Sequence, residues 1–324
     1  MVEVKITSND QNKRLDKFVK KYLSKAPESF IYKLFRKKDI KVNKKPKPAD
    51  YITQLDDVIQ IYITKDQEIE FIEKLSINVS NKKQFDVIYE DANILVVNKP
   101  TNLLVHDGDG KLKNDDTLTK QVLNYLIANN SYNPKNENTF IPALAHRIDR
   151  NTSGIVVFGK TSMALQELFL AFKNHDGMEK EYETLVCGKV KESGKVEAKL
   201  IKNEQTKIVN VDEVNGVEAK TLYAPIKVYS DVTHLRVTIL TGRTHQIRVH
   251  MKHINHPLVG DQKYGNKNSD VLARKYNMKG NFLHAKRLCF HNLTGSLTYL
   301  NGKEFIAPLF DWEIKLINRL KENI

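Results

Sequence analysis

The sequence predicts an α+β fold: a largely antiparallel mixed sheet with flanking helices, preceded by a small N-terminal α/β domain. From residue 85 onward, most strand-like segments follow one another through turns, with few helical patterns between them. Asn215-Gly216, for example, predicts a hairpin between Lys207–Val209 and Val217–Ala219. A polar, charged stretch separates this part from the N-terminal residues. The predicted organisation is a domain at 1–63, a mobile linker at 64–84 and a larger domain at 85–324.

The first 63 residues show the periodicity of a compact module. Apolar residues recur with helical spacing at Leu15, Phe18, Val19, Tyr22 and Leu23. A second short helix is predicted around Leu34, with strands at Ile40–Asn43 and Val58–Ile61. Basic side chains on the outer faces of two such helices would form a rigid surface that binds phosphates without reading bases.

The larger domain opens with two strand patterns, Asp86–Tyr89 and Ile94–Val97, joined by a polar turn. Farther along, one helix packed on a core is predicted from the spacing of Leu165, Leu168, Phe169 and Phe172. This succession of strands with occasional helices underlies the α+β prediction.

The charge of the chain favours a polyanionic partner. Its 52 Lys and Arg against 39 Asp and Glu give 324 residues a net charge of +13, and the first 63 residues hold 15 basic against 8 acidic side chains. Such side chains replace the counterions condensed on a phosphate backbone. No apolar run approaches the roughly 20 residues that span a bilayer, and no lipidation signal is present. We therefore expect nucleic acid, and no membrane, as the partner.

The cysteine content indicates a reducing compartment. The sequence holds Cys187 and Cys289 alone, which gives no disulfide framework and predicts a cytoplasmic location. Cys187 follows strand-like residues and is expected to be a small buried side chain. The residues Met1–Lys5 lack the apolar segment of a secretory signal.

The most informative segment is His146–Gly154, which places Asp149 between Arg147 and Arg150. Positive charge on both sides favours the ionised carboxylate. An Asn-Thr-Ser-Gly turn and the apolar strand Ile155–Phe158 follow directly. An ionised carboxylate on a loop beside a strand suits a covalent nucleophile. The alternative is a surface Asp in a salt-bridged turn.

The segment closely resembles the signature of the RluA-type pseudouridine synthases, enzymes that isomerise uridine within folded RNA. Three further segments are similar to motifs of that family: Asn98–Pro100 with the residues up to His106, Lys180–Val186, and Thr241–His250. The resemblance implies the pseudouridine synthase catalytic fold and a branch of the family that acts on 23S ribosomal RNA of the large subunit. RNA, as rRNA or an assembly intermediate, is then the expected partner.

The resemblance also implies roles for four residues. Asp149 would be the nucleophile, Arg248 its paired guanidinium, and Tyr182 the ring that packs on the target base and is implicated in proton abstraction. Arg147 would enter the RNA stack where the base leaves, although it could equally hold the RNA backbone. Whether Asp149 attacks the base, attacks the sugar or abstracts a sugar proton stays open. The isomerisation requires no cofactor, no nucleotide and no metal.

The N-terminal module in turn resembles the RNA-binding module named after the fourth small-subunit ribosomal protein. Its similarity lies in Arg14–Asp16, Ile31–Lys37 and Lys41–Asn43. The resemblance predicts that RNA is contacted by Arg14, Lys17, Lys33, Arg36, Lys37, Lys38 and Lys41.

Three alternatives deserve weight. Gly154–Thr161 has the letter pattern of a phosphate-binding loop, but its central residues favour a strand over a loop of exposed amides. A cluster of His245, His250, His253 and His256 suggests a metal-dependent nuclease, but no acidic or Cys partner has zinc-like spacing. A non-catalytic RNA-binding or ribosome-assembly protein that keeps the fold is the remaining alternative.

Overall fold

The computed structural model describes residues 1–72, 83–106, 116–175 and 177–322. Within them the helices are α1 (Leu15–Tyr22), α2 (Glu28–Arg36), α3 (Lys65–Phe71), α4 (Leu118–Ala128), α5 (Ser162–Asn174), α6 (Gln246–His253), α7 (Lys267–Lys275) and α8 (Asp311–Glu322). The strands are β1 (Val2–Lys5), β2 (Ile40–Val42), β3 (Lys45–Pro46), β4 (Val58–Ile61), β5 (Asp86–Glu90), β6 (Ile94–Lys99), β7 (Ala143–Leu144), β8 (Ser153–Gly159), β9 (Met178–Cys187), β10 (Gly194–Lys202), β11 (Val209–Val211), β12 (Val217–Val228), β13 (Val232–Ile239), β14 (Leu283–Phe290) and β15 (Glu304–Ile306). None of the helices in this described part is long and apolar enough to cross a membrane.

The chain forms two compact units. The first comprises Met1–Lys83, Gln121–Ala143 and Gly159–Leu165, and the second comprises Gln84–Lys120, Leu144–Phe158 and Gln166–Ile324. The predicted domain boundaries at residues 63 and 85 stay a prediction, because the units group the chain by contact and draw on distant segments.

The first unit contains a small sheet with strand order β1-β4-β2-β3. Helices α1 and α2 pack on it because their apolar faces, including Leu15, Phe18 and Ile31, are fully buried there. Both helices and two of the strands lie where the sequence predicts them.

Residues 64–72, which we predict as part of a mobile linker, instead form a capped helix. Thr64 and Gln67 make a reciprocal capping box at the start of α3. At its end Phe71 is buried, with its ring centroid 5.0 Å from that of Phe30. The polar composition of this segment did not predict a helix. One buried apolar residue and a capping box are nevertheless enough to fold and dock so short a segment. The rest of the predicted linker up to residue 82 lies outside the described residues.

A distant segment completes the first unit around Asp10, which is fully buried. The side chains of Thr139 and Asn138 donate hydrogen bonds of 2.6 and 2.8 Å to its carboxylate. Asn9 donates a further bond of 2.8 Å to Glu137. Residues 121–143, which the sequence places in the larger domain, therefore pack with the N-terminal residues.

The second unit is built on an 11-stranded sheet with the order β11-β10-β12-β13-β9-β14-β8-β6-β5. Strands β15 and β7 pair with β14 and β8. β14 and β8 run parallel, whereas β10–β12, β12–β13, β13–β9 and β14–β9 are antiparallel pairs. This mixed, largely antiparallel sheet with helices packed on it confirms the α+β prediction.

The predicted hairpin at Asn215-Gly216 is wrong. β11 and β12 do not pair with each other; they flank β10 on its two sides, so that Leu200 faces Val211 on one side and Val217 on the other. The Asp212 carboxylate accepts the backbone N–H groups of Val214 and Asn215. This Asx turn carries the chain across the end of β10, which a two-residue turn signal does not distinguish from a tight hairpin.

Candidate active site

Asp149 lies on the loop between β7 and β8. Within that loop the Thr152 N–H donates to the Asp149 carbonyl oxygen over 3.1 Å. Immediately beyond it, Gly154 has a φ of +101°, and a Cβ atom there would lie 2.3 Å from the Ala285 carbonyl oxygen. Only glycine allows this backbone conformation and this close approach of β8 to β14. The sheet therefore fixes the position at which the loop presents Asp149.

His146 anchors the start of the same loop. Its Nε2 accepts the Val157 N–H over 3.2 Å, and its ring stacks on Phe172 with centroids 4.2 Å apart. Burial, assisted by the charge of Lys180, lowers the pKa of His146 to about 3. This histidine is a neutral structural acceptor in the loop.

Lys99, at the end of β6, holds the other side of the loop. Its fully buried Nζ donates to the carbonyl oxygens of Pro100, Leu103 and Arg150 over 2.8–3.0 Å. Burial lowers the pKa of this ammonium to about 7, and the nearby Asp149 charge opposes the shift. The Lys-Pro segment thus has a structural role: it holds the loop that carries Asp149.

Arg248, in the first turn of α6, is the ionic partner of Asp149. Its Nη1 donates to Asp149 Oδ2 over 2.8 Å, although the two residues are 99 positions apart in the chain. The Arg248 side chain is only 10% exposed, whereas that of Asp149 is 30% exposed. The Asp149 carboxylate is therefore open to a bound molecule, whereas the guanidinium of Arg248 is largely covered by the protein.

Asp261 fixes that guanidinium from the opposite side. Its carboxylate accepts hydrogen bonds from Nε and Nη2 of Arg248, over 2.7 and 2.8 Å. It also accepts hydrogen bonds from the backbone N–H groups of Lys263 and Tyr264. Burial acts to lower the pKa of Arg248, but Asp261 and Asp149 outweigh it and raise that pKa. Asp261 is not among the residues that the sequence predicts for this site, so the motifs missed this clamp.

His245 and Tyr264 border Asp149 on the helix side. His245 precedes α6 with a φ of +54°, and its Nε2 lies 3.7 Å from Asp149 Oδ2. Its Nδ1 is 2.7 Å from the Tyr264 hydroxyl, which accepts the Val209 N–H. Burial lowers the pKa of His245 although the Asp149 charge opposes this. On this side, Asp149 is therefore bordered by the neutral imidazole of His245, which in turn contacts the Tyr264 phenol.

A cavity of about 380 Å³ opens above Asp149, and Tyr182 forms part of its wall. Tyr182 lies in the middle of β9, opposite Val237 of β13 and Ala285 of β14. Burial first, and the Asp149 charge second, raise the pKa of its phenol well above the usual range. The structure therefore brings Asp149, Arg248 and Tyr182 to one cavity, with Tyr182 in its protonated form.

Lys180 shares the cavity-facing side of β9 with Tyr182, as the strand alternation predicts. Its Nζ is 2.9 Å from His175 Nδ1. Burial lowers the pKa of Lys180 to about 8 and that of His175 to about 4. This pair places a cation beside the apolar side chains Phe172, Ile239 and Leu283 of the same cavity.

Known proteins provide an independent comparison. The family model described as RNA pseudouridylate synthase matches residues 93–253. The ribosomal large subunit pseudouridine synthase C of Vibrio vulnificus is 35% identical over 98% of this chain and 96% of its own length. That of Escherichia coli O157:H7 is 33% identical, again over 98% and 96%. The chain belongs to the RNA pseudouridylate synthase family.

A further relative agrees with this assignment, and a solved structure shares the fold. An uncharacterised RNA pseudouridine synthase of Mycoplasma capricolum is 31% identical over 96% of this chain and 99% of its own length. The human RNA pseudouridylate synthase domain containing 4 has a similar fold, with a TM-score of 0.58 at 20% identity over 73% of this chain and 93% of that one. The protein is accordingly an isomerase, an RNA pseudouridine synthase.

The basic residues predicted to contact RNA lie in two places on the synthase. Arg147 lines the Asp149 cavity, with Nη1 2.9 Å from His106 Nε2. The N-terminal ones belong to the first unit, where Arg14 pairs with Asp16 and Lys41 lies over the Tyr62 ring. The remaining predicted contacts in that unit are exposed: Lys17, Lys33, Arg36, Lys37 and Lys38.

Three of the four histidines considered as metal ligands have separate partners in the synthase. His245 faces Tyr264, His250 Nδ1 is 2.9 Å from Thr221 Oγ1, and His256 Nδ1 is 2.7 Å from the Cys187 carbonyl oxygen. In the described part of the chain no group of three His, Cys, Asp or Glu is arranged to hold a metal ion. The segment with the phosphate-loop pattern forms β8, as its β-branched residues predict.

Replacing Asp261 with Asn should weaken both stability and turnover of the synthase. The variant keeps the shape but removes one of two carboxylates from a nearly buried guanidinium, which costs about 3 kcal/mol. We expect a lower urea midpoint and slower single-turnover isomerisation, because Arg248 is then free to change its angle to Asp149. Glu197→Gln, which breaks an exposed ion pair with Lys195, is the matched control and should change neither. A wild-type midpoint for Asp261→Asn would contradict the clamp.

Proposed function

We propose that this synthase converts specific uridines of large-subunit ribosomal RNA, or of an assembly intermediate containing it, to pseudouridine in the cytoplasm, with Asp149 as nucleophile. The observation that carries the chemistry is the ion pair of Asp149 with Arg248 at the floor of a cavity that Tyr182 also lines. The rRNA substrate is supported by the names of relatives that match nearly the whole chain.

The reaction begins with extrusion of the target base. Unstacking and unpairing cost a few kcal/mol, which contacts of the extruded nucleotide and of the RNA backbone must offset. The cavity offers apolar side chains and the Tyr182 ring to the base, and Arg147 and Lys180 as cations. Arg147 is placed to occupy the stack or to hold the backbone where the base has left.

Asp149 then acts on the extruded uridine. The bond from N1 to C1′ breaks, the base turns, and C5 bonds to C1′; the proton leaves C5 and a proton is gained at N1. Atoms and electrons balance within the nucleotide, so the chemistry exchanges no redox equivalent. Attack on the base, attack on the sugar and abstraction of a sugar proton all start from the same carboxylate, which Arg248 keeps paired and oriented.

Tyr182 enters this scheme with its proton in place. Its ring can stack on the base, and its hydroxyl can pass a proton only when the reaction develops charge beside it. Because burial and the nearby Asp149 charge raise its pKa, the phenol is no free phenolate base. Its role is therefore to position the base and to relay a proton between C5 and N1.

The experiment that tests the function is a map of pseudouridine in large-subunit ribosomal RNA from cells with and without the gene. We expect specific sites to disappear on deletion and to return with the wild-type gene, but not with Asp149→Asn. An unchanged map, together with RNA binding but no isomerisation in vitro, would instead favour a non-catalytic RNA-binding or ribosome-assembly protein.

The N-terminal module, residues 1–63, is proposed to bind the RNA phosphates. Replacing four exposed basic residues with alanine should reduce the slope of log affinity against log salt by about 3, because each lost phosphate contact removes about 0.7–0.9. The variant changes Lys33, Arg36, Lys37 and Lys38, which lie at the end of α2. The matched control changes four exposed lysines of the second unit, Lys189, Lys191, Lys227 and Lys321. Equal slopes for both variants would refute the role of the module.

A further inference from the structure

The second unit holds another cavity, of about 370 Å³, close in volume to the one above Asp149. Four chain segments form its wall: the β7–β8 loop that carries Asp149 (here called the catalytic loop), the turn after β6, the turn at 276–281, and one side of α8. It is lined by none of the residues assigned above to catalysis.

The lining of this cavity suits a nucleotide. Trp312 is 37% exposed and is held edge-on against Phe282, with ring centroids 6.2 Å apart. Lys279, Lys315 and Arg319 add positive charge, and no Asp or Glu is among the described lining residues. Side-chain amides that can bond a base edge come from Asn102, Asn151, Asn277 and Asn281. An aromatic ring beside cations is the arrangement with which proteins bind unpaired nucleotides.

The catalytic loop separates this cavity from the first one. Asn151 lines the second cavity and Thr152, the next residue, lines the cavity above Asp149. Arg150 Nε also donates to the Asn102 carbonyl oxygen over 3.1 Å, which ties the loop to the far wall. Adjacent residues of one loop therefore line the two cavities, and the loop is their common boundary.

We propose that the second cavity binds an unpaired nucleotide of the substrate RNA, close in the strand to the target uridine. Its base would stack on Trp312 while Lys279 and Lys315 contact the phosphates. The inference rests on the proposed RNA substrate and adds a second point of attachment, which would bind a nucleotide while the target uridine leaves the stack.

Trp312 is the single tryptophan of the chain, so its fluorescence reports on this cavity alone. A short oligoadenylate, which contains no uridine to be isomerised, is the probe. We expect the oligoadenylate to quench the Trp312 fluorescence of the full-length protein saturably. In the double variant Lys279→Ala/Lys315→Ala the apparent Kd should be about tenfold weaker. Lys321→Ala, exposed on the same helix but outside the cavity, is the matched control and should keep the wild-type Kd.

Absence of quenching, or quenching that the double variant leaves unchanged, would overturn the proposal. Equal, competing quenching by an oligoglutamate peptide would also overturn it and assign the cavity to an acidic protein partner. The readout is independent of isomerisation, so its failure is distinct from failure of the proposed function. With folded substrate RNA, the double variant should isomerise more slowly at subsaturating RNA and recover at saturation.

Discussion

Asp149→Asn should abolish isomerisation while leaving RNA binding within about twofold of wild type. The amide retains an oxygen that accepts Nη1 of Arg248, and Asp261 still holds the guanidinium by two bonds, so the site keeps its shape. An amide is a far weaker nucleophile and base than a carboxylate, and removal of an essential nucleophile lowers turnover on the order of 10⁴-fold or more.

The measurement is tritium release from RNA labelled at C5 of uridine, under single-turnover conditions, with filter binding in parallel. Asp311→Asn, an exposed carboxylate that does not line the cavity, is the matched control and should release tritium at the wild-type rate. Tritium release by Asp149→Asn at the control rate would show that the Asp149 carboxylate takes no part in the reaction.

Tyr182→Phe should bind RNA normally and turn it over about 10²–10⁴-fold more slowly. The substitution keeps the ring against the base and removes the hydroxyl, whose loss has the magnitude of a missing general acid or base. Tyr182→Leu should in addition weaken binding, because a stacked base–aromatic contact contributes about 1–3 kcal/mol.

The two variants separate stacking from proton transfer when Kd and the single-turnover rate are measured on the same RNA. Tyr223→Phe, on β12 of the same sheet, two strands from β9 and outside the cavity, controls for loss of a hydroxyl from the sheet. A wild-type rate for Tyr182→Phe would reduce Tyr182 to a stacking surface.

The resemblance of short motifs singled out Asp149, Tyr182 and Arg248, and the structure brings all three to one cavity; their catalytic roles stay predictions. It did not predict Asp261, because a carboxylate in a loop gives no local sign that it will meet an arginine 13 residues earlier and two backbone amides. The pairing depends on the turn that follows α6, which is a property of the folded chain.

Elements were predicted well where periodicity was strong and poorly where a few contacts decide the outcome. The apolar stripe of α1 and the alternation of β13 are visible in the sequence, and the structure has both elements. Helix α3 depends on a cap and one phenylalanine. The contact of Thr139 with Asp10 joins residues 129 positions apart, which no local pattern reveals.

The double attachment of Asp261 to the guanidinium has a consequence for catalysis. Two peptide N–H groups hold Asp261, and Asp261 in turn holds Arg248 by two bonds, so contacts within the protein itself set the electrostatic field at the reacting carboxylate. Little reorganisation of protein dipoles is then left for the bound complex, and the temperature dependence of turnover should report mainly on how the nucleoside leaves its helix.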